Sequence, residues 1–297
     1  MGQGASAPEA AAMAESPPIR QLTFQNRKWP GLGLQVLWLS RLWRLLPDDL
    51  FSGPERWDFH VILLCTAGAG QLDLDFAPLN LKRGMLLHLR PGQVIQGVHR
   101  DRLEARVALF RPEFLSSDAA ALDLPTALAL EGHALRTLDR AFSDLQNEYA
   151  QTDASPESTA LLTTLLEVIL HRIAPLAGQP TTPAGEQPAQ RELMRQFRRE
   201  LENSFHTCRQ VSHYAKRLGY AEKTLNRATQ RAEGLPAKAL IDARVLLEAK
   251  RLLVHTRQSI GAIARALGFS EATNFAKFFR RGAGCGPSAF RRQHQER

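Results

Sequence analysis

Cysteine is scarce in this chain: Cys65, Cys208 and Cys285 are all that 297 residues contain, they lie far apart, and no C-x-x-C pair or His/Cys cluster has zinc-ligand spacing. A disulfide-stapled secreted framework and a zinc finger are thereby excluded, and a reduced cytoplasm is the simplest compartment. No His-x-His occurs, and His60, His88 and His99 are scattered singly, so they are read as structural and no metal or cofactor is expected. A Gly-rich phosphate loop and a G-x-S-x-G elbow are both missing, which removes two large classes of enzyme. No apolar run approaches the roughly 20 residues of a membrane span. The opening "MGQGASAPEAAAMAESPPIR" lacks a basic region followed by an apolar core, so residues 1–20 are expected to be a disordered tail rather than a secretory signal, and the Met-Gly start is a weak match to a myristoylation site. A chain that avoids the membrane is the expectation.

Acidic charge is also scarce, but only in one part. Residues 191–297 hold 22 Lys and Arg against 9 Asp and Glu, a net of +13, while residues 1–190 carry a net of −5. A basic module joined to a mildly acidic one is the footprint of a protein in which one part meets a polyanion and the other does not. The length suits two domains, each with its own core.

From about Leu22 to Pro112 the apolar pattern has period two. In "GQLDLDF", Leu72, Leu74 and Phe76 alternate with Gln71, Asp73 and Asp75, which predicts the first set inside and the second in water. The runs "LGLQVLWLS", "FHVILLCTAG", "GMLLHLRPGQVIQGV" and "ARVALF" are short, apolar and bounded by Gly or Pro, the signature of an antiparallel sandwich or barrel. Within it Trp38, Trp57 and His60 either line a small-molecule pocket or fill core, and Cys65 reads as buried and inert. The period then changes to that of helices. Leu135, Leu138, Phe142, Leu145 and Tyr149 form one stripe, and a second helix starts near Pro156 with a broad face from Leu161 to Ile173. Such a pair caps the β-domain or pairs with its counterpart in a second chain. "GQPTTPAGEQPAQ", residues 178–190, is expected to be a linker between a sensing or dimerising domain over 21–177 and a helical domain over 191–297.

The helical part contains a repeat. "VSHYAKRLGYAEKTLNRATQR" and "IARALGFSEATNFAKFFRR" align Ala215 with Ala264, Gly219 with Gly268, and Leu225 with Phe275, at offsets of 49, 49 and 50 residues. A small residue that lets two helices approach, a glycine at the turn and an apolar anchor in the second helix are the demands of a helix-turn-helix. Each second helix is a candidate probe for a major groove. Its outward residues are Lys223, Asn226, Arg227 and Gln230 in the first unit, and Glu271, Thr273, Asn274, Lys277 and Arg280 in the second, with Arg281 flanking. Arg and Lys donate to guanine, Asn and Gln pair with adenine, and Thr offers a hydroxyl and a methyl. Glu271 either caps its helix or accepts from cytosine. The three phenylalanines Phe275, Phe278 and Phe279 are expected in the core. Between the units "KALIDARVLLEAKRLLVHT" predicts a helix of about 27 Å, with Leu240, Ala243, Leu246, Leu247, Leu253 and Val254 inward. It is long enough to place the two probes in successive grooves about 34 Å apart.

Residues 191–297, and above all "IGAIARALGFSEATNFAKFFRRGAGCGPSAFRR", resemble the DNA-binding domain of the arabinose-regulator (AraC/XylS) family. The β-domain with its helix pair is similar in plan to that family's cupin-like, effector-binding and dimerising domain. The resemblance implies an α+β two-domain chain: a cupin-like antiparallel β-sandwich or barrel with two trailing helices, then an all-α domain of two helix-turn-helix units joined by a long helix. It also implies sequence-specific binding to double-stranded promoter DNA, activation in concert with RNA polymerase, a small-molecule effector, a homodimer, and residence in the bacterial cytoplasm at the nucleoid. The base-contacting positions it implies are Lys223, Asn226, Arg227, Thr273, Asn274 and Lys277. Ala228 and Thr229 depart from the family's bulkier pair, which Phe278 and Phe279 supply in the second unit. A cupin-fold enzyme with a basic tail and a non-specific architectural DNA binder are the competing readings.

Overall fold

The computed structural model describes residues 19–46, 53–99, 102–116, 119, 122, 124–177 and 188–295. Two five-stranded sheets form the N-terminal domain. In chain order the strands are β1 (Arg20–Leu22), β2 (Leu34–Trp38), β3 (Glu55–Trp57), β4 (His60–Ala67), β5 (Ala69–Leu74), β6 (Ala77–Lys82), β7 (Met85–Leu89), β8 (Val94–His99), β9 (Glu104–Phe110) and β10 (Ala127–Ala129). One sheet runs β1-β3-β8-β5-β6 and the other β10-β7-β4-β9-β2. The pairing is antiparallel as expected except at β1, which lies parallel to β3, so Arg20, expected in a disordered tail over residues 1–20, belongs to the sheet, while residues 1–18 lie outside the described region. Pro78 sits in β6, an edge strand, where its missing N–H costs no ladder bond. The run "LGLQVLWLS" divides: its strand stops at Trp38 and a short helix, α1 (Leu39–Leu45), begins.

The strand β4 reads as an unbroken apolar run because both of its faces are covered. Val61, Leu63 and Cys65 point into the sandwich with Leu74, Leu89, Ile95 and Val107, while Ile62 and Leu64 point the other way, beneath α2 (Gly132–Gln151) and α3 (Pro156–Ile173). The helix stripe is as expected, with Leu138, Phe142, Leu145 and Tyr149 buried. Cys65 is fully buried, and burial pushes its thiol up to about 12.

No unbroken apolar run of membrane-spanning length occurs, yet α3 and the turn after it are apolar on average. Among the described residues one helix, Pro156–Leu176, is long and apolar enough to cross a membrane by length and composition, with mean hydropathy 1.4. Its polar Ser, Thr and Glu residues break any unbroken run in the sequence and hide this. Leu162, Leu166, Ile169, Leu170 and Ile173 pack inward, whereas Leu161 is 45% and Val168 38% exposed.

A correction lies at the β5–β6 turn. Leu74 pairs with Ala77, so Asp75 and Phe76 alone make the turn, with φ of 50° and 72°. Both sit in the left-handed region that Asn-Gly normally occupies in such a hairpin, at a cost of about 1–2 kcal/mol per non-glycine residue. Phe76 therefore leaves the inner row of Leu72 and Leu74, and Asp75 does not face water. Both reach into the helical domain instead.

That domain consists of α4 (Pro188–Ser204), α5 (Val211–Leu218), α6 (Glu222–Glu233), α7 (Ala237–His255), α8 (Ile260–Ala266), α9 (Ala272–Ala283) and α10 (Pro287–Gln295). The helix α4 begins at Pro188, inside the linker expected over 178–190; residues 178–187 lie outside the described region. One core unites the two units, built from Phe197, Tyr214, Leu225, Ile241, Val245, Ala249, Phe275 and Phe279. The inward row of α7 is Ala237, Ile241, Val245 and Ala249, at steps of four, with Leu253 after it. Of the expected row, Leu253 and Val254 are buried, but Ala243 is exposed and Leu240, Leu246 and Leu247 are only half-buried. Buried charges, Glu248 and Arg251, displaced the rest, because α7 packs on the β-domain as well as on its own.

Candidate nucleic-acid interface

The two helix-turn-helix units are built alike down to single hydrogen bonds. Gly219 and Gly268 have φ of 75° and 71°, and the residue after each, Tyr220 and Phe269, donates its N–H to the carbonyl of Ala215 and Ala264, 2.9 Å in both. This left-handed stop ends the first helix and swings the chain into the second. At Gly268 a side chain would also meet the carbonyl oxygens of His206 at 3.0 Å and Thr207 at 3.1 Å. Ala215 and Ala264 are buried at the crossing, and Leu225 and Phe275 are fully enclosed anchors. The second turn is two residues longer: one is the one-residue slip in the repeat after the glycine, and the other arises because α8 ends one position earlier than α5.

The probes α6 and α9 are both 12 residues long, and each ends on a left-handed glycine, Gly234 or Gly284. After each, a proline opens the next helix: Pro236 caps α7 and Pro287 begins α10. The repeat thus extends through "GLPAKAL" and "GCGPSAF", a matched Gly/Pro signal carried by the sequence itself. In the first unit Ala228 and Thr229 are buried, the Thr229 hydroxyl bonding to the Asn226 carbonyl at 3.0 Å, so the smaller pair is accommodated without exposing the core.

On α9, Thr273, Lys277, Arg280 and Arg281 fall at i, i+4, i+7 and i+8 and with Ala276 line an open depression on the outer face. Asn274 is exposed beside them, and Glu271 occupies the N-cap position with no side-chain cap bond. On α6, Lys223 and Arg227 are exposed on one face. The other two candidates there have local duties. The Asn226 carboxamide oxygen accepts from the Ala237 N–H at 3.0 Å, fixing the start of α7, and Gln230 Nε2 donates to the Gly234 carbonyl at 2.8 Å, closing the end of α6. Phe275 and Phe279 are fully buried as expected; Phe278 is half-buried and, with Phe269, lies under the Arg209 guanidinium, which is 3.5 Å from the Phe269 centroid.

In the β-domain the three pocket candidates do not converge. Trp57 stacks on Phe59 inside the sandwich, Trp38 carries the Arg106 guanidinium, and His60 lies on the opposite, helix-covered side of the sheet. His60 and His88 are not scattered: β4 and β7 bring them together, Nδ1 of one 3.0 Å from Nε2 of the other, with the His60 ring sandwiched between His88 and Phe110. Antiparallel register places residues 28 apart in neighbouring strands, a contact that spacing along the chain does not reveal.

The chain matches the model of a helix-turn-helix domain over residues 214–293 and that of an AraC-like ligand binding domain over residues 45–170. It is 26% identical over 258 residues to the HTH-type transcriptional activator RhaS of Escherichia fergusonii, an alignment covering 83% of this chain and 89% of that one. It is 27% identical to RhaS of Pectobacterium carotovorum, covering 81% and 88%. Among solved structures, fatty acid-bound ToxT of Vibrio cholerae is 13% identical, with 78% of this chain and 86% of that one aligned at a TM-score of 0.39. An AraC-like ligand binding domain followed along one chain by a helix-turn-helix domain, with similarity to RhaS activators over nearly their full length, places the protein in the arabinose-regulator (AraC/XylS) family of transcription regulators.

Proposed function

We propose that the protein is a sequence-specific, effector-responsive transcription activator that reads promoter DNA with α6 and α9 in successive major grooves. The observation that carries this reading is the pair of equal-length probes, each ended by a left-handed glycine, displaying Lys223, Arg227, Thr273 and Lys277 to solvent on a domain of net charge +13. Asn226, Gln230, Glu271, Asn274 and Arg280 complete the proposed contact set. The first two are expected to position α6 more than to read bases, because their amides are engaged within the domain. The effector belongs to the domain over 21–177, and RNA polymerase is the partner of the DNA-bound state. Cytoplasmic residence at the nucleoid and the lack of any enzymatic role accompany this reading. Capture of genomic fragments at physiological salt tests it, since salt suppresses the phosphate-only component of binding. A shared site with two short blocks about one helical turn apart is the expected result; fragments with no common sequence would overturn it.

The same reading has the protein act as a homodimer through α3. Leu161 and Val168 are exposed along one side of α3, whose opposite side is packed, with Leu176 exposed in the short 3-10 turn that follows, and an isologous partner covers such a row. Leu161→Asp combined with Val168→Asp is expected to yield monomers in sedimentation at concentrations where the parent chain is dimeric. A variant that still sediments as a dimer would move the interface elsewhere.

A further inference from the structure

At the β5–β6 tip the β-domain grips the helical domain, beside a backbone bond from the Ile19 N–H to the His255 carbonyl at 3.0 Å. The Asp75 carboxylate is held from behind by its own domain, accepting from the Val94 N–H at 3.1 Å and from Gln93 Nε2 at 3.3 Å. In front it meets Arg251 of α7 with two parallel bonds, Nε to Oδ1 and Nη2 to Oδ2, both 2.7 Å. Arg251 also donates to Glu248 at 3.1 Å, Arg56 of β3 approaches Glu248 at 2.8 Å, and Arg244 joins Glu248 to Glu202 of α4. The charges alternate from the hairpin through α7 to the first helix of the helical domain. Beside them the Phe76 ring stacks on His255, centroids 5.4 Å apart at 9°, and meets Phe290 and His294 of α10 edge-on.

Three features mark this contact as reversible. Its bonds are ionic and aromatic, and such interfaces between domains come apart in water more readily than an apolar core. The backbone of Asp75 and Phe76 is left-handed, a conformation held by what the two side chains grip. The residues gripped lie at the end of α7 and in α10, which flank the second reading unit on both sides, so moving them moves α9.

We propose that Asp75 and Phe76 form an interdomain latch, closed in this structure, that restrains DNA binding and through which the state of the β-domain reaches the second reading unit. Closed, it clamps a part of the chain with net charge −5 against a domain of +13, which repels a polyanion; open, the helical domain is free to settle on DNA. The inference rests on the proposed DNA-binding role, but its geometry is measurable without DNA. Spin labels at Asn80→Cys in β6 and Ser288→Cys in α10, with Cys208 and Cys285 replaced by serine, report the separation of the two domains in the full chain. The parent should give one narrow distance distribution. Asp75→Asn combined with Phe76→Ala should add a second, longer population and raise promoter affinity by at least about fivefold, a typical coupling between sites. Asp75→Asn with Phe76→Gly separates latch from hairpin distortion: glycine accepts the left-handed backbone but has no ring, so the distances stay broad if the latch is real and return to the parent's if distortion was the cause. Asp73→Asn removes the same charge from the neighbouring strand and should change neither readout. A double variant that keeps the parent's distances, or that broadens them without tightening DNA binding, would overturn the latch. A parent chain that binds no promoter at all would instead refute the proposed function and leave the distances to decide the geometry.

Discussion

Lys277→Ala weakens promoter binding by about 1–3 kcal/mol and leaves the melting temperature in place, whereas Phe279→Ala, two residues further, removes about 3–5 kcal/mol of stability. Neighbours on one helix diverge because α9 is divided by face. Lys277 is exposed in the outer depression with Thr273, Arg280 and Arg281, and exposed substitutions ordinarily shift stability by less than about 0.5 kcal/mol. Phe279 is fully buried between Phe275 and Phe290, with centroids at 5.9 and 5.3 Å, where a truncated ring leaves a cavity the rigid helix crossing does not fill. Binding titrations and thermal melts on the same two variants separate the effects. If Lys277 reads a base, its loss also relaxes preference at one base pair; if it holds phosphate, affinity falls equally on all sequences and the salt slope shrinks by about one. A Lys277→Ala protein that binds its site as tightly as the parent would remove α9 from the interface.

The helical domain was legible from sequence because its constraints are local. A glycine at a left-handed turn, a small residue at a crossing and an apolar anchor act within about 20 residues, and the repeat states them twice. Lys223, Arg227, Thr273 and Lys277 could be placed on outward faces for the same reason. What stayed hidden are contacts between elements far apart in the chain. Period two put Phe76 in the sandwich, since alternation describes a strand and is silent about where the strand stops; the hairpin turns after Leu74 and spends Phe76 on α10 and His255. The inward row of α7 is legible only at its end, in Leu253 and Val254, because a helix that touches two domains has two buried faces, and hydropathy does not flag Glu248 and Arg251 as buried when their partners are 176 residues away in Asp75 or on β3 in Arg56. Three guanidiniums explain how that burial is tolerated: enclosure alone would raise the Glu248 carboxyl, but Arg56, Arg251 and Arg244 hold it below its usual value.

Acid is expected to weaken the β-domain well before its carboxylates protonate, and the His60–His88 pair is the reason. Burial, then the nearby Arg90 charge, brings His60 from 6.5 down to about 4, and burial, then His60 and Arg90, holds His88 well below its ordinary value. An unfolded histidine takes its proton near pH 6.5. Folded His60 refuses it until near pH 4, and His88 is held down in the same direction, so across that window the unfolded chain binds more protons and stability falls as pH falls. His60 alone contributes a loss of about 3 kcal/mol by the lower end, and His88 adds to it in the same direction. His255, also brought to about 4, first by burial and then by Arg56, loosens the latch region over the same range. Substituting His60→Phe with His88→Leu isolates the pair: phenylalanine keeps the stack on Phe110, leucine suits the enclosed site, and neither titrates. Urea unfolding of parent and variant between pH 7 and pH 4 should therefore show a steep decline in the parent and a shallower one in the variant, the remainder belonging to His255 and, at the acid end, to carboxylates such as Glu248. Equal slopes would mean that the two imidazoles are reached by water in the folded chain and carry no pH dependence of their own.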